Sequence, residues 1–176
     1  MTEDKRNVQD KYKWWLDLDI RADLEKTASG LSLVLLNLTG DFNVSSAIRV
    51  GNWFNVSSVY IVGKRHVDTR GAVGAHHYMT IEKRPEIEDV IAELKAKGKT
   101  IVAAEIADGA VALADYAWPS DVAIIFGEEL RGVPEAVLSL CDAVVMVPGR
   151  GSVRSLNVAT TAGIFSFDYS NKRGLL

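Results

Sequence analysis

Cysteine occurs once in the 176 residues, at Cys141, so no internal disulfide can form and a reducing compartment is expected. No apolar run reaches the roughly 18 to 20 residues of a membrane-spanning helix. The opening MTEDKRNVQDKYKWW is polar and lacks the hydrophobic stretch of a secretory signal. The cytoplasm, with no membrane partner, is the location these absences imply. No internal repeat, low-complexity tract or long linker interrupts the chain. GxGxxG is missing near the first apolar segment and GxxxxGK(S/T) is missing throughout, which removes the standard dinucleotide fingerprint and the P-loop. His66, His76 and His77 have no cysteine or carboxylate at metal-ligand spacing, so no metal is expected. As neighbours on a strand, His76 and His77 would point to opposite faces and share no ligand.

What is present is an ordinary globular composition, 48% hydrophobic and 24% charged, enough for one domain with a sizeable core. The net charge of −3 argues against a surface coated in nucleic acid, although binding depends on local patches. Basic clusters stand at Lys5, Arg6, Lys11 and Lys13, at Lys64, Arg65 and Arg70, at Lys83 and Arg84, at Arg150 and Arg154, and at Lys172 and Arg173. Each of them also suits a plain solvated face.

Apolar runs and amphipathic stretches alternate. WWLDLDIRADLEKTAS reads as a helix of an N-terminal extension (1–29), closed by Gly30. LSLVLLNL (31–38) is too continuous for a one-faced strand and reads as a buried parallel one. A helix over 43–54 follows, with Asn43 suited to its cap and Val44, Ala47, Ile48 and Phe54 on its apolar side. Strands are expected at 57–63, 100–106, 121–127 and 143–149, with a short one within HYMTIEK. Helices are expected at 85–99, with proline at its start and glycine at its end, and at about 134–140 and 155–168. This is an α/β pattern with a mostly parallel sheet, whose ligands bind beyond the carboxyl ends of the strands. TGDFN, FGEELRGVP and VPGRGSVRSLN lie at such ends. The glycine-rich, basic stretch 63–79 is long for a structureless loop and suits contact with a large polyanion.

Three segments, in order, resemble the SpoU (TrmH-type) family of SPOUT RNA methyltransferases. They are NLTGDFNVSSAIRVGNWFNVSSVYIVG, AIIFGEELRGVP and VMVPGRGSVRSLNVATTAGI, and the likeness runs from about residue 30 to 168. It implies a Rossmann-like sheet with a C-terminal trefoil knot over 30–176, a pocket for S-adenosyl-L-methionine inside the knot, and a homodimer. Ala159, Ala162 and Gly163 are small, as a threaded helix requires, though an ordinary helix on a sheet would carry the same letters. By position, Phe126, Gly127, Glu128, Val147, Gly149, Leu156 and Asn157 would hold the cofactor. Glu128 stands where relatives often carry Asn or Ser, Leu130 replaces a frequent glycine, and PGRG replaces a common proline-methionine pair.

The implied reaction is methyl transfer to a ribose 2′-hydroxyl of tRNA or rRNA. A ribose hydroxyl is a very weak acid, so alignment and stabilisation of charge at its oxygen should dominate. Arg49 matches the family arginine; its guanidinium stays protonated, which favours holding a phosphate and the nascent oxyanion over acting as a base. Glu129, Asn43, Ser155 and Asn157 complete the implied reaction site. Read without the family, Arg49 is an exposed helix arginine, Asn43 a cap, Glu129 a loop carboxylate, and Ser155 the cap of the last helix. Lys64, Arg65, Arg70, Arg150 and Arg154 are the residues expected to meet RNA. The alternatives are a non-catalytic RNA-binding or assembly factor of the same fold, and a nucleotide enzyme of another class; the missing phosphate loops weigh against the latter.

Overall fold

A computed structural model describes residues 4–38, 41–63, 67–128 and 130–176. Lys64, Arg65, His66 and Glu129, named above, lie outside the described residues. Among the described residues seven strands form one sheet: β1 (Ser29–Leu36), β2 (Val56–Val62), β3 (Ile81–Arg84), β4 (Thr100–Ala104), β5 (Val111–Ala112), β6 (Val122–Phe126) and β7 (Ala143–Met146). Their order is β3-β2-β1-β6-β4-β7-β5, and every pairing is parallel. The helices are α1 (Asp17–Lys26), α2 (Asp41–Trp53), α3 (Ile87–Ala96), α4 (Glu135–Leu138) and α5 (Val158–Lys172).

The continuous apolar runs are explained by burial on both faces. From β1, Leu31, Leu33 and Leu35 point into one core with Val44, Ala47 and Ile48 of α2 and Ala162, Phe165 and Tyr169 of α5. Val34 and Leu36 point into the other, with Val90, Ile91 and Leu94 of α3 and Val137 of α4. The period of two along the strand thus separates the two layers. Helix α5 is fastened to the sheet at its far end. There the Tyr169 hydroxyl donates to Ser120 O at 2.6 Å and Trp118 Nε1 donates to Asp168 Oδ2 at 2.7 Å.

Several local expectations change. The first helix ends at Lys26, and Gly30 is a strand residue of β1. A side chain there would collide with the Ser120 carbonyl, so the glycine serves close packing of the sheet's lower edge. Trp14 has φ 70° and stands outside α1, whose buried contact comes from Ile20 with Tyr12 and Tyr78. Leu18 is exposed. Helix α2 begins at Asp41, so Asn43 lies in its first turn and is not its cap. Asn157 caps α5, displacing Ser155 from that expectation. His76 and His77 occupy a 3-10 turn, Ala75–His77, with ring centroids 4.0 Å apart and the planes tilted by 38°, and do not alternate on a strand. A side chain at Gly163 would meet only Val50 at 3.9 Å, so close approach does not demand that glycine. Two-residue β5 had no sequence signal.

Candidate cofactor cleft and reaction edge

All seven strands run the same way, so their carboxyl ends share one edge of the sheet. There the chain leaving β4, β6 and β7 encloses a cleft of about 620 Å³, within the usual range for small-molecule sites. Its apolar walls include Phe126, Val145, Val147, Leu156, Val158 and Phe165. Phe126 and Phe165 meet edge to face, centroids 5.8 Å apart, which ties β6 to α5 at the back of the cleft. The polar lining is Glu105, Glu128, Arg131, Arg154, Ser155 and Thr161.

The turn after β6 is shaped by glycines. Gly127 lies against the backbone of Gly132 and Val133, and any side chain at 127 would overlap the Gly132 carbonyl. Gly132 itself has φ +66°, a left-handed conformation that favours glycine. Gly132 N donates to Glu128 O at 2.8 Å and closes the turn. The Glu128 carboxylate, mostly sheltered, stands 3.8 Å from Arg131 Nε.

Beside the cleft, α2 and α5 meet at their N-terminal ends. Asn157 accepts the backbone N–H groups of Ala159 and Thr160 on Oδ1 and donates from Nδ2 to Asn43 Oδ1 at 2.8 Å. Arg49 sits six residues along α2, a net rotation of about 240°; it is exposed and has no ion-pair partner among the described residues. Asn43 and Arg49 therefore do not share a helix face.

Of the expected cofactor residues, Phe126, Gly127, Glu128, Val147 and Leu156 line the cleft, and Gly149 and Asn157 do not. Ser155 lines it as well. Arg154, expected at an RNA surface, also turns up in the lining, whereas Arg150 is exposed outside it. Arg70 is 82% exposed and forks onto Asp68. It belongs to the 67–79 segment, which packs on α2: a side chain at Gly71 would strike Ser45 Oγ. In the same segment burial, helped by the neighbouring His77, holds His76 below the ordinary imidazole pKa.

Glu105, Arg131 and Thr161 were not singled out from the sequence. A carboxylate directly after a strand that ends at the ligand edge was the signal available for Glu105. Among the described residues no cluster of three or more His, Cys, Asp or Glu side chains could hold a metal ion. No described helix is long and apolar enough to cross a membrane.

A doubly covered parallel sheet with a mixed apolar and polar cleft at its carboxyl edge defines an α/β protein built to bind a small cofactor. The family model for SpoU rRNA methylases matches residues 30–167, and the chain belongs to that family. An uncharacterized tRNA/rRNA methyltransferase of Archaeoglobus fulgidus is 31% identical over 163 residues, covering 88% of this chain and 71% of that one. The tRNA (guanosine(18)-2′-O)-methyltransferase of Escherichia coli K12 is 27% identical over 134 residues, covering 74% of this chain. This chain spans only 58% of the Escherichia coli enzyme's length. The crystal structure of the TrmH/SpoU tRNA-modifying enzyme of A. aeolicus superposes with a TM-score of 0.81 at 25% identity. That match covers 90% of this chain and 82% of the other. The expected family and the parallel α/β sheet are thereby established.

Proposed function

We propose that this chain transfers a methyl group from S-adenosyl-L-methionine to a ribose 2′-hydroxyl of tRNA or rRNA, with tRNA the first substrate to try. One observation carries the reading. The three segments that resemble the family come together, two supplying cleft-lining residues and the third, α2, joined to the start of α5 by the Asn43–Asn157 bond.

The cleft suits such a cofactor. Phe126, Val145, Val147 and Leu156 offer apolar walls for an adenine ring, and the turn around Gly127 and Gly132 brings backbone close enough to bond its edges. Glu128 adds negative charge toward a cationic ligand. When bound, the group supplies an already activated methyl. The chain's own task is then to hold the ribose oxygen in line and stabilise charge on it. Arg49 serves this by gripping an adjacent phosphate and the developing oxyanion, while Asn43, Asn157 and Ser155 position the ribose.

Arg70 and Arg150, with Lys64 and Arg65, attract RNA phosphates, and Arg154 does so from the mouth of the cleft. RNA is thereby recognised through its backbone and 2′-hydroxyls. Residues 1–29 form an extension of a 30–176 methyltransferase domain, and α5 threads the family's trefoil knot. Exposed Phe42 and Trp53 on α2 and Phe167 on α5 suit pairing with a second copy, which makes the working unit a homodimer. The cytoplasm is its place of action.

The test is incubation with methyl-labelled S-adenosylmethionine and, in separate tubes, tRNA or ribosomal RNA. Label in one RNA class supports the reading and assigns the substrate. Cofactor binding without label in either RNA would favour a non-catalytic assembly role.

A further inference from the structure

Glu105 is the one carboxylate of the cleft whose two oxygens both accept described backbone N–H groups. Oε1 takes Ile106 N–H at 2.9 Å and Oε2 takes Val133 N–H at 2.7 Å. The second bond crosses from the end of β4 to the far side of the turn that follows β6, 28 residues on. Glu105 itself is set by its backbone, whose N–H donates to Val145 O at 3.1 Å and extends the β4–β7 pairing.

The carboxylate lies against Gly132, where an added side chain would collide with its Oε2. Gly127, equally without room for a side chain, packs on the Gly132–Val133 backbone. The Glu105 carboxylate and the Gly127 backbone therefore both pack on the Gly132–Val133 backbone. Glu105, Gly127 and Gly132 all line the cleft. An ionised carboxylate is well suited to the clamp, since it is an acceptor at both oxygens and its bonds to N–H groups are charge-assisted. A glutamine could accept at only one position and would turn its own N–H₂ toward the other donor.

We propose that Glu105 is a positioning residue for the cofactor: its carboxylate holds the Gly132–Val133 backbone against Gly127 at the spacing that the cleft needs. The inference rests on the reading of the cleft as a S-adenosylmethionine site. It assigns Glu105 no contact with the reacting atoms and no part in RNA binding.

The experiment is calorimetric titration of the full-length wild type and Glu105→Gln with S-adenosylmethionine, alongside RNA titration, thermal unfolding and steady-state kinetics. The expected result is a rise of about tenfold or more in cofactor Kd and KM for Glu105→Gln. Its RNA Kd, and its kcat at saturating cofactor, should stay within about twofold of wild type, because the clamp acts on the turn and not on the ribose. Cofactor Kd within twofold of wild type would overturn the assignment. So would cofactor affinity, RNA affinity and melting temperature falling together, since that would mark a general loss of structure. Should Glu105→Gln fail to fold, Glu105→Asp, which keeps the charge on a shorter arm, is measured by the same criteria. Wild type that binds no S-adenosylmethionine would instead refute the cofactor reading beneath the inference.

Discussion

Asn157 donates from Nδ2 to Asn43 Oδ1 at 2.8 Å, across 114 residues of sequence, while its Oδ1 caps α5 through Ala159 N–H and Thr160 N–H. One side chain therefore starts the last helix and fastens it to the first turn of α2. Asn157→Ala removes both functions. The cap is worth about 1 kcal/mol and the side-chain bond about another 1 kcal/mol. Asn43→Ala leaves the cap in place and should cost less. Urea unfolding of both variants checks the order, and equal losses would mean the cap contributes nothing.

Two glycines expected at the cofactor should behave in opposite ways. Gly127→Ala drives a methyl group into the Gly132 carbonyl, whereas a side chain at Gly149 meets nothing within 4 Å. Gly127→Ala should lower the melting temperature and weaken cofactor binding at least ~10-fold, as strain at a packed turn does. Gly149→Ala should change neither by a measurable amount. Titration calorimetry and thermal melts on the pair decide this.

Arg49 is exposed and unpaired among the described residues, so its removal should leave stability unchanged. Under the proposed role, Arg49→Lys keeps the charge but loses the planar fork. The single-turnover rate at saturating RNA should fall by about 100-fold or more, in the range seen when a charge-stabilising donor is lost. Retention of most of the rate would remove Arg49 from the reaction.

Burial, assisted by the nearby Asp142 carboxylate, pushes the Cys141 thiol up to about 11. Below the thiol's ordinary pKa, near 9, both folded and unfolded chains hold the proton, and the residue contributes no pH dependence. From there to about pH 11 only the unfolded chain ionises, so stability is lost as pH rises through this window. Cys141→Ala should lack that part of the decline, which denaturation at stepped pH values from 8 to about 11 would reveal as a difference from wild type. Alkylation of the native thiol at pH 8 should accordingly be slow.

The layers were legible because their signals are local. The unbroken run at 31–38 could only be a strand covered on both sides, and Leu33 and Val34 do enter opposite cores. The proline and glycine around 85–98 bracket α3, and Gly98 has φ +78° just beyond its end. Caps were harder. Asn43, Ser155 and Asn157 all have the side chain of a cap, and the choice among them depends on which helix end each one reaches after folding. Glu105 was invisible for the same reason: its partner Val133 is 28 residues away, and a single acid after a strand has no periodicity. Trp14 counted as a helix residue by pattern, but its N–H instead donates to Asp4 at 2.9 Å, a carboxylate that Arg6 also grips. Long-range polar bonds of this kind follow from the fold and leave no mark in a window of sequence.

The most direct measurement is mass spectrometry of nucleosides from RNA that has been treated with the purified protein and labelled S-adenosylmethionine. The expected product is a 2′-O-methylated nucleoside that carries the label, formed by wild type and nearly absent with Arg49→Lys. Label found only on a base, or no label in any RNA despite measurable cofactor binding, would contradict ribose methylation as the function of this chain.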